Sequence, residues 1–240
     1  GMLKRQVVFL GGKDIGYECL KILFKQAKQL NIDIVGIDTS TRGKLIKEFG
    51  VKHDIQYLEG IIPRCDIIIS VQYDRILSDK EINMASERVI NLHMAPLPEY
   101  RGCNQFSFAI IDEALEFGAT LHEIVPGVDE GPIVAENRFE IGLDIWVKDL
   151  FYLTYNASIK LFKEWLAQLI SGEYNAIDQK SLLLSRGTSF HFRKEIDKIK
   201  EIDLDWTKGK INKHLRATMM PGFESPYTMV KGVKIYFVLK

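Results

Sequence analysis

Four short apolar runs, each followed by a helical or turn-rich stretch, constrain the fold of this chain more than any other feature. Gln6-Val-Val-Phe-Leu10 passes through Gly11-Gly12 into 15–30, where Ile15, Cys19, Ile22, Leu23, Ala27 and Leu30 recur at helical spacing. The next runs are Ile32–Ile37, Cys65–Val71 and Arg88–His93, with helical patterns at 41–49 and 79–85 between them. Cys65–Val71 is apolar enough to be buried on both faces, as strands of parallel sheets are. The alternation predicts an α/β fold with a doubly wound, mostly parallel, Rossmann-like sheet. Its crossovers should be right-handed, and ligands should bind at the carboxyl ends of its strands.

Beyond His93 the pattern predicts a helix over 105–115, strands over 119–125 and 133–141, and a long helix from an Asp144 N-cap to about Ile170. Leu150, Leu153, Ala157, Leu161, Trp165 and Leu169 would form the apolar face of that helix. After Ser171-Gly172 the chain turns more polar, with a weak helix over 206–218. A closing hairpin is predicted from Tyr227–Val230 and Val233–Val238, turned at Lys231-Gly232. The division expected is one domain over 1–175 and a small C-terminal region over 176–240 that packs on it or builds a dimer contact.

The 240 residues carry 32 basic and 32 acidic side chains, so no global field draws the chain to nucleic acid or an anionic membrane. With 46% hydrophobic and 27% charged residues it can bury a sizeable core, which excludes disorder of the whole chain. Charge is nonetheless uneven. Residues 181–240 hold 12 basic and 6 acidic residues, net +6, which leaves −6 for 1–180. The basic tail reads either as a solvated face or as an anion contact. Three cysteines (Cys19, Cys65, Cys103) give no disulfide framework and no CxxC motif, which suits a reducing, cytoplasmic setting. Gly1 ahead of Met2 reads as an added leading residue, 3–10 is too short and mixed for a secretory signal, and no apolar run is long enough to span a bilayer. His53, His93, His122, His191 and His214 are scattered without HExxH or Cys/His ligand spacing, so no metal is expected.

Gly11-Gly12-Lys13-Asp14-Ile15-Gly16, with Asp38 22 residues past Gly16, imitates a dinucleotide fingerprint. It fails where GxGxxG requires a glycine and Lys13 stands, because a side chain there obstructs close approach of a pyrophosphate. Two readings survive: a plain tight turn, or a helix N-terminus whose N–H groups and Lys13 hold a phosphate or carboxylate.

The stretch Asn91-Leu-His-Met-Ala-Pro-Leu-Pro-Glu-Tyr-Arg-Gly-Cys-Asn104 carries the chemistry. Asn91 and His93 are two apart at a strand end, so both side chains leave on one side, and Pro96 and Pro98 stop the strand. Asp129 follows 36 residues after His93 in the glycine-flanked loop Gly127-Val-Asp-Glu-Gly131. That loop reads as a close-packing site loop or as an ordinary surface turn. Amide, imidazole and carboxylate together suit acyl transfer to an amine. Asn91 and a protonated His93 would stabilise the tetrahedral oxyanion, and Asp129 would orient and charge the imidazole and relay a proton. Cys103 has no evident base beside it and reads as a packing residue. His122 reads as core-facing or hydrogen-bonded in its strand.

Asn91-Leu-His93, Pro96-Leu-Pro-Glu-Tyr-Arg-Gly102, Gly118-Ala-Thr-Leu-His122 and Asp129-Glu-Gly-Pro-Ile133 occur in this order within about 45 residues. Together they resemble the tetrahydrofolate-dependent formyltransferases, and the likeness extends more loosely over 5–170. The resemblance implies N10-formyltetrahydrofolate as formyl donor, with Asn91, His93 and Asp129 matching the family's catalytic trio. It implies a pterin site between Tyr73, Ile76 and Leu77 on one side and Val125 and Val128 on the other. The 95–108 run and Met220-Pro-Gly-Phe-Glu-Ser-Pro-Tyr227 are most similar to the small nucleotide-sugar N-formyltransferases. From this the acceptor is expected to be a dTDP-linked 4-amino-4,6-dideoxyhexose, specifically dTDP-4-amino-4,6-dideoxyglucose. Its contacts would come from Gly12, Lys13, Asp14, Tyr100, Arg101, Gly102, Asn104, Phe223 and Tyr227. The likeness also implies a homodimer, with neither nucleic acid nor membrane as partner. The alternatives are a methionyl-tRNA or other small-amine formyltransferase and, from another class, a non-catalytic folate- or nucleotide-binding module.

Overall fold

The computed structural model describes residues 3–240; Gly1 and Met2 lie outside the described residues. The first half alternates as the pattern requires: β1 (Arg5–Gly11), α1 (Lys13–Gln26), β2 (Ile32–Asp38), α2 (Lys44–Lys52), β3 (Cys65–Val71), α3 (Asp79–Ile82) and β4 (Ala85–His93). The second half contains β5 (Arg101–Gly102), α4 (Gln105–Ile111), β6 (Glu116–Glu123), β7 (Ile133–Glu140) and α5 (Val147–Ser171). The C-terminal region adds α6 (Leu183–Arg186), β8 (Phe190–His191), α7 (Ile196–Lys200), α8 (Lys208–Thr218), β9 (Tyr227–Val230) and β10 (Val233–Tyr236).

Six strands form one sheet in the order β2-β1-β3-β4-β6-β7. The β2-β1-β3-β4 portion is parallel, while β6 runs antiparallel to both β4 and β7. On one face α1, α2 and α5 bury the main core, in which Ile15, Cys19, Leu23, Ile46, Phe49, Phe162 and Leu166 meet the strand residues Val7, Phe9, Ile67, Ile69, Ile90 and Leu92. On the other face Val8, Leu10, Ile68 and Val89 pack under Leu58, Ile62 and Leu77. A third cluster joins α4, α8 and the start of α5 through Ala109, Ile110, Phe117, Leu150 and Ala217.

Three expectations change in detail. The long helix is N-capped at Trp146, not Asp144: Ile145 N–H donates to the Gly142 carbonyl in a turn, and the first helical bond runs from Leu150 N–H to Trp146 O. Its buried face is also rotated from the apolar stripe, with Leu153 at 46% exposure while Thr154 and Ser158 are fully buried. Both hydroxyls donate to carbonyls four residues back, at 2.7 Å, so these small polar residues enter the core without an unpaired group. The helix over 105–115 stops at Ile111, where Glu113 turns left-handed (φ 55°).

The closing hairpin turns on Lys231 (φ 49°) and Gly232 (φ 78°), both left-handed as a two-residue turn requires. The C-terminal region is bonded to the sheet domain rather than tethered to it: β8 pairs with β5, and Ile177 exchanges two backbone bonds with Ile133. No helix among the described residues is long and apolar enough to cross a membrane.

Candidate active site

The site is assembled by strand parity and one antiparallel register. Ile90 and Leu92 of β4 point into the main core, and Val89 points into the opposite one. Asn91 and His93 therefore continue the Val89 face, at the carboxyl end of the parallel strands. In the β4–β6 ladder Asn91 pairs with His122 and His93 with Thr120. Opposite residues of an antiparallel pair share a face, so four polar side chains are brought together by backbone geometry alone.

Hydrogen bonds then set the ring orientations. His122 Nδ1 lies 2.9 Å from the Glu123 carbonyl, which accepts only, so the proton is assigned to Nδ1. Burial pushes the His122 pKa below the usual imidazole range, against a smaller opposing effect of Asp129, and the ring is neutral at neutral pH. Its free Nε2 accepts from Asn91 Nδ2 at 3.1 Å. This fixes which way the Asn91 amide faces and leaves its second N–H for a ligand. His93 Nε2 donates to the Tyr100 carbonyl at 2.7 Å, which turns Nδ1 toward Asp129.

Asp129 lies between the two imidazoles, with Oδ2 3.7 Å from His93 Nδ1 and Oδ1 3.7 Å from His122 Nε2. Gly102 N–H donates to Oδ2 at 2.9 Å. Burial raises the Asp129 pKa, but His93, the Gly102 N–H and Arg101 outweigh it, and the carboxyl sits below its ordinary range. Asp129 is left-handed (φ 55°), a conformation Asp tolerates better than most residues. A Cβ on Gly131 would fall 1.6 Å from the Glu123 carbonyl oxygen, so the loop closes on β6 only with glycine there.

Ionised Asp129 has a consequence for stability. Glu81, bonded to Arg75 and to the Ser78 cap, is held down at about 2. Glu136 is raised by burial but lowered further by Arg186 and Arg138. A carboxyl with a depressed folded pKa contributes stability above its unfolded value, near 4, and that contribution is lost as pH falls through the folded value. The thermal midpoint should therefore begin to fall as pH drops below about 6.5, where the unfolded chain takes up a proton that buried His122 refuses. It should fall by several degrees more below about pH 4, where the contribution of these carboxyls is lost. A circular-dichroism melt series checks this, and a midpoint unchanged at pH 3 contradicts it.

The remaining expected site residues divide. Gly12 caps α1, and a Cβ there would lie 2.5 Å from the Gln72 carbonyl oxygen, so this turn requires glycine for space. Lys13 is exposed and left-handed (φ 57°), and its ammonium approaches Gln72 Oε1 at 3.5 Å. Its pKa is lowered by desolvation and by the charges of Arg42 and Arg193, against smaller opposing effects of Cys103 and Asp74. Asp14 accepts a bond from Tyr155. Arg101 is tied to Glu130 (2.7 Å) and Thr188 (3.2 Å) and lies over Phe190. Asn104, left-handed at the start of α4, donates to the carbonyls of Phe192 and Arg193.

Two aromatics are corrected. Tyr100 is 7% exposed, its ring packs on Phe117 and its hydroxyl donates to Asp112, so it offers the site its carbonyl and not its side chain. Tyr227 is 8% exposed, packed against Tyr236 with Lys234 over its ring, and is a hairpin core residue rather than a stacking platform. Phe223, in contrast, is exposed, in the turn after α8.

On the proposed pterin side Leu77 is buried, Ile76 is exposed, and Val125 and Val128 are half-buried. Tyr73, Leu77 and Ile124 share one apolar cluster, which sets the 73–77 segment beside the 124–132 loop. The Tyr73 hydroxyl is spent on Asp38, which also accepts from Gly60 N–H. Asp38, the acid that imitates a ribose ligand, is thereby committed within the protein; it borders a cleft of about 270 Å³ with Tyr57, Glu59, Tyr73 and Arg75.

Sequence reasoning missed the part His122 plays, for which the only signal was its place in the Gly118–His122 motif. It also missed Gln179 and Arg186, for which there was none.

Residues 60–151 match the family model described as formyl transferase. The bifunctional polymyxin resistance protein ArnA of Wigglesworthia glossinidia brevipalpis is 26% identical over 234 residues, 90% of this chain and 35% of the relative. The GDP-perosamine N-formyltransferase of Brucella melitensis is 25% identical over 173 residues, 72% of this chain and 64% of the relative. The chain thus spans about a third of the first relative and just under two thirds of the second. Among solved structures, WlaRD, a sugar 3N-formyl transferase crystallised with dTDP and 5-N-formyl-THF, superposes with a TM-score of 0.78 at 23% identity, covering 98% of this chain and 85% of that one. The matched segment 60–151 contains every strand and loop that supplies Asn91, His93, His122 and Asp129, and the fold of the chain is that of WlaRD.

Proposed function

We propose that the protein is an N-formyltransferase that moves a formyl group from N10-formyltetrahydrofolate to the amine of a nucleotide-linked amino-dideoxy sugar. The observation that carries this reading is the convergence of Asn91, His93 and Asp129 on one face at the carboxyl end of β4, with His122 holding the Asn91 amide. The donor supplies an electrophilic formyl carbon. Asn91 offers its free amide N–H to the oxygen on which negative charge develops. Protonated His93 stabilises the same charge. Asp129, ionised at neutral pH, takes up the proton lost by the attacking amine, directly or through water. As the tetrahedral adduct collapses, the bond between the formyl carbon and N10 breaks and N10 leaves as the amine with that proton. No covalent intermediate with the protein is needed.

For the acceptor, Lys13 at the start of α1, its backbone N–H bonded to the Arg42 carbonyl, supports a diphosphate contact. The similar proteins include one named for a GDP-sugar and one crystallised with dTDP. Within this class we retain dTDP-4-amino-4,6-dideoxyglucose as the acceptor to test first. The near-balanced charge weighs against transfer RNA, since duplex recognition requires several phosphate contacts by Lys or Arg.

The test is a formyl-transfer assay with N10-formyltetrahydrofolate and mass spectrometry of products, run on dTDP- and GDP-linked 3-amino and 4-amino sugars beside formylatable transfer RNA. A gain of one formyl mass on a sugar is expected. Transfer only to the RNA would refute the acceptor class, and donor binding without transfer to any acceptor would favour a binding module.

We also propose a homodimer built on the hairpin, where Met229, Val230, Val233, Ile235 and Tyr236 are all more than 40% exposed. Light scattering should give twice the 27.5 kDa chain mass, and Ile235→Asp should halve it. A wild-type monomer at micromolar concentration overturns this.

A further inference from the structure

The two loops that carry the site are not held by the sheet domain alone. One loop, 94–104, supplies the Tyr100 carbonyl to His93 and the Gly102 N–H to Asp129. The other, 124–132, carries Asp129 itself. A single stretch of the C-terminal region, 177–193, reaches back and bonds to both.

On the first loop, Arg186 donates to the Leu97 carbonyl and Ser189 to the Glu99 carbonyl. Arg101 N–H and Cys103 N–H donate to Ser189 O and His191 O in the β5–β8 pair. Because these two amides face β8, the Gly102 N–H between them faces the other way, toward Asp129. Arg186 also makes two bonds to Glu136, which shares Arg138 with Glu99, so the tail, the first loop and β7 meet in one ionic network.

The second loop is held by one side chain. Gln179 is 5% exposed and is the one buried residue between 171 and 180. Its Nε2 donates to the Asp129 carbonyl at 2.8 Å and the Gly131 carbonyl at 2.7 Å, so both amide hydrogens are used. Its Oε1 is buried without a partner among the described residues. An unpaired buried acceptor opposes folding, and an apolar side chain of the same shape avoids it. The residue type is therefore explained by what its N–H groups hold: the left-handed backbone of Asp129, whose carboxylate must sit between two imidazoles.

We propose that Gln179 is a positioning residue for Asp129, and that 177–193 is part of the active site although none of it need touch the reacting atoms. The inference deepens the formyl-transfer reading and rests on it for its kinetic consequences, but its structural core is independent of that reading. Gln179→Met keeps the volume and removes both donors.

The first readout is hydrogen exchange at the Gly102 amide, followed by NMR in the wild type, Gln179→Met and Asp129→Asn. Protection should fall about tenfold or more in Gln179→Met, with global melting little changed. The second is a kinetic cycle, in which Gln179→Met should lower kcat about tenfold or more with KM values altered less than about threefold. In the Asp129→Asn background the same substitution should cost less than about twofold, because its effect passes through Asp129. Unchanged Gly102 protection, or additive losses in the double variant, would overturn the proposal. An inactive wild type with the exchange result intact would sink the formyl-transfer reading and leave the clamp standing. Should Gln179→Met fold poorly, Gln179→Glu, which sets a carboxylate against two carbonyls, must show the same loss of Gly102 protection.

Discussion

His93→Asn should lower kcat on the order of 10²–10⁴-fold, the span that general acid–base groups contribute. Asn is the informative replacement because its amide lies where the imidazole Nδ1 does, on the Asp129 side, and keeps a polar donor there, while the longer reach of Nε2 to the Tyr100 carbonyl is lost. What it cannot do is take a proton and hold a positive charge beside Asp129. Binding of the formyl donor, read by calorimetry with a non-transferable folate, should change less than about threefold, since the lost interaction belongs to the transition state. A variant with wild-type kcat would remove His93 from the chemistry. One that loses donor affinity in proportion to kcat would make His93 a binding residue.

The second large effect is expected from a single methyl group. Gly131→Ala places a Cβ 1.6 Å from a backbone oxygen of Glu123, a neighbour that no rotamer change can move. Either the β6–β7 connection shifts or the pairing of His122 with Ile133 breaks. Both displace Asp129, because Gln179 bonds the carbonyls of Asp129 and Gly131 together. A stability loss on the order of 2–4 kcal/mol is expected, as for other buried steric conflicts, with activity reduced further than stability explains. Gly60→Ala serves as control, since its Cβ meets nothing within 4 Å, although its φ of 83° adds some strain. Denaturant unfolding and kcat measured on both variants decide it, and a Gly131→Ala protein with wild-type activity would mean the loop does not fix Asp129.

The parts of the fold that follow from side-chain alternation were legible in the sequence. The apolar runs of β1, β2 and β3 announce buried parallel strands, and Asn91 and His93 at i and i+2 announce one polar face at a strand end. The Lys231-Gly232 turn is equally plain, because few residue pairs suit two successive left-handed positions.

What depends on contacts distant in sequence was not legible. His122 reaches Asn91 through a register across 31 residues, and Gln179 reaches Asp129 across 50. Tyr100 and Tyr227 look like ligand contacts because they sit in motif-rich segments, yet an aromatic beside a motif is as useful to a core, and here both rings are buried. Thr154 and Ser158 mislead in the opposite sense: their hydroxyls are satisfied within α5, so the buried face includes residues that a hydropathy pattern assigns to solvent.

The antiparallel register of β4 against β6 has a consequence for how the chain tolerates change in length. Side chains alternate with a period of two, so inserting or deleting one residue between Leu121 and Phe117 would turn His122 off the Asn91 face and into the apolar layer under α5. The turn over 112–115 between α4 and β6 is free of that parity rule, and extra residues there leave the ladder in step. Length variation among chains of this architecture should accordingly collect in the connections, while β6 keeps its count.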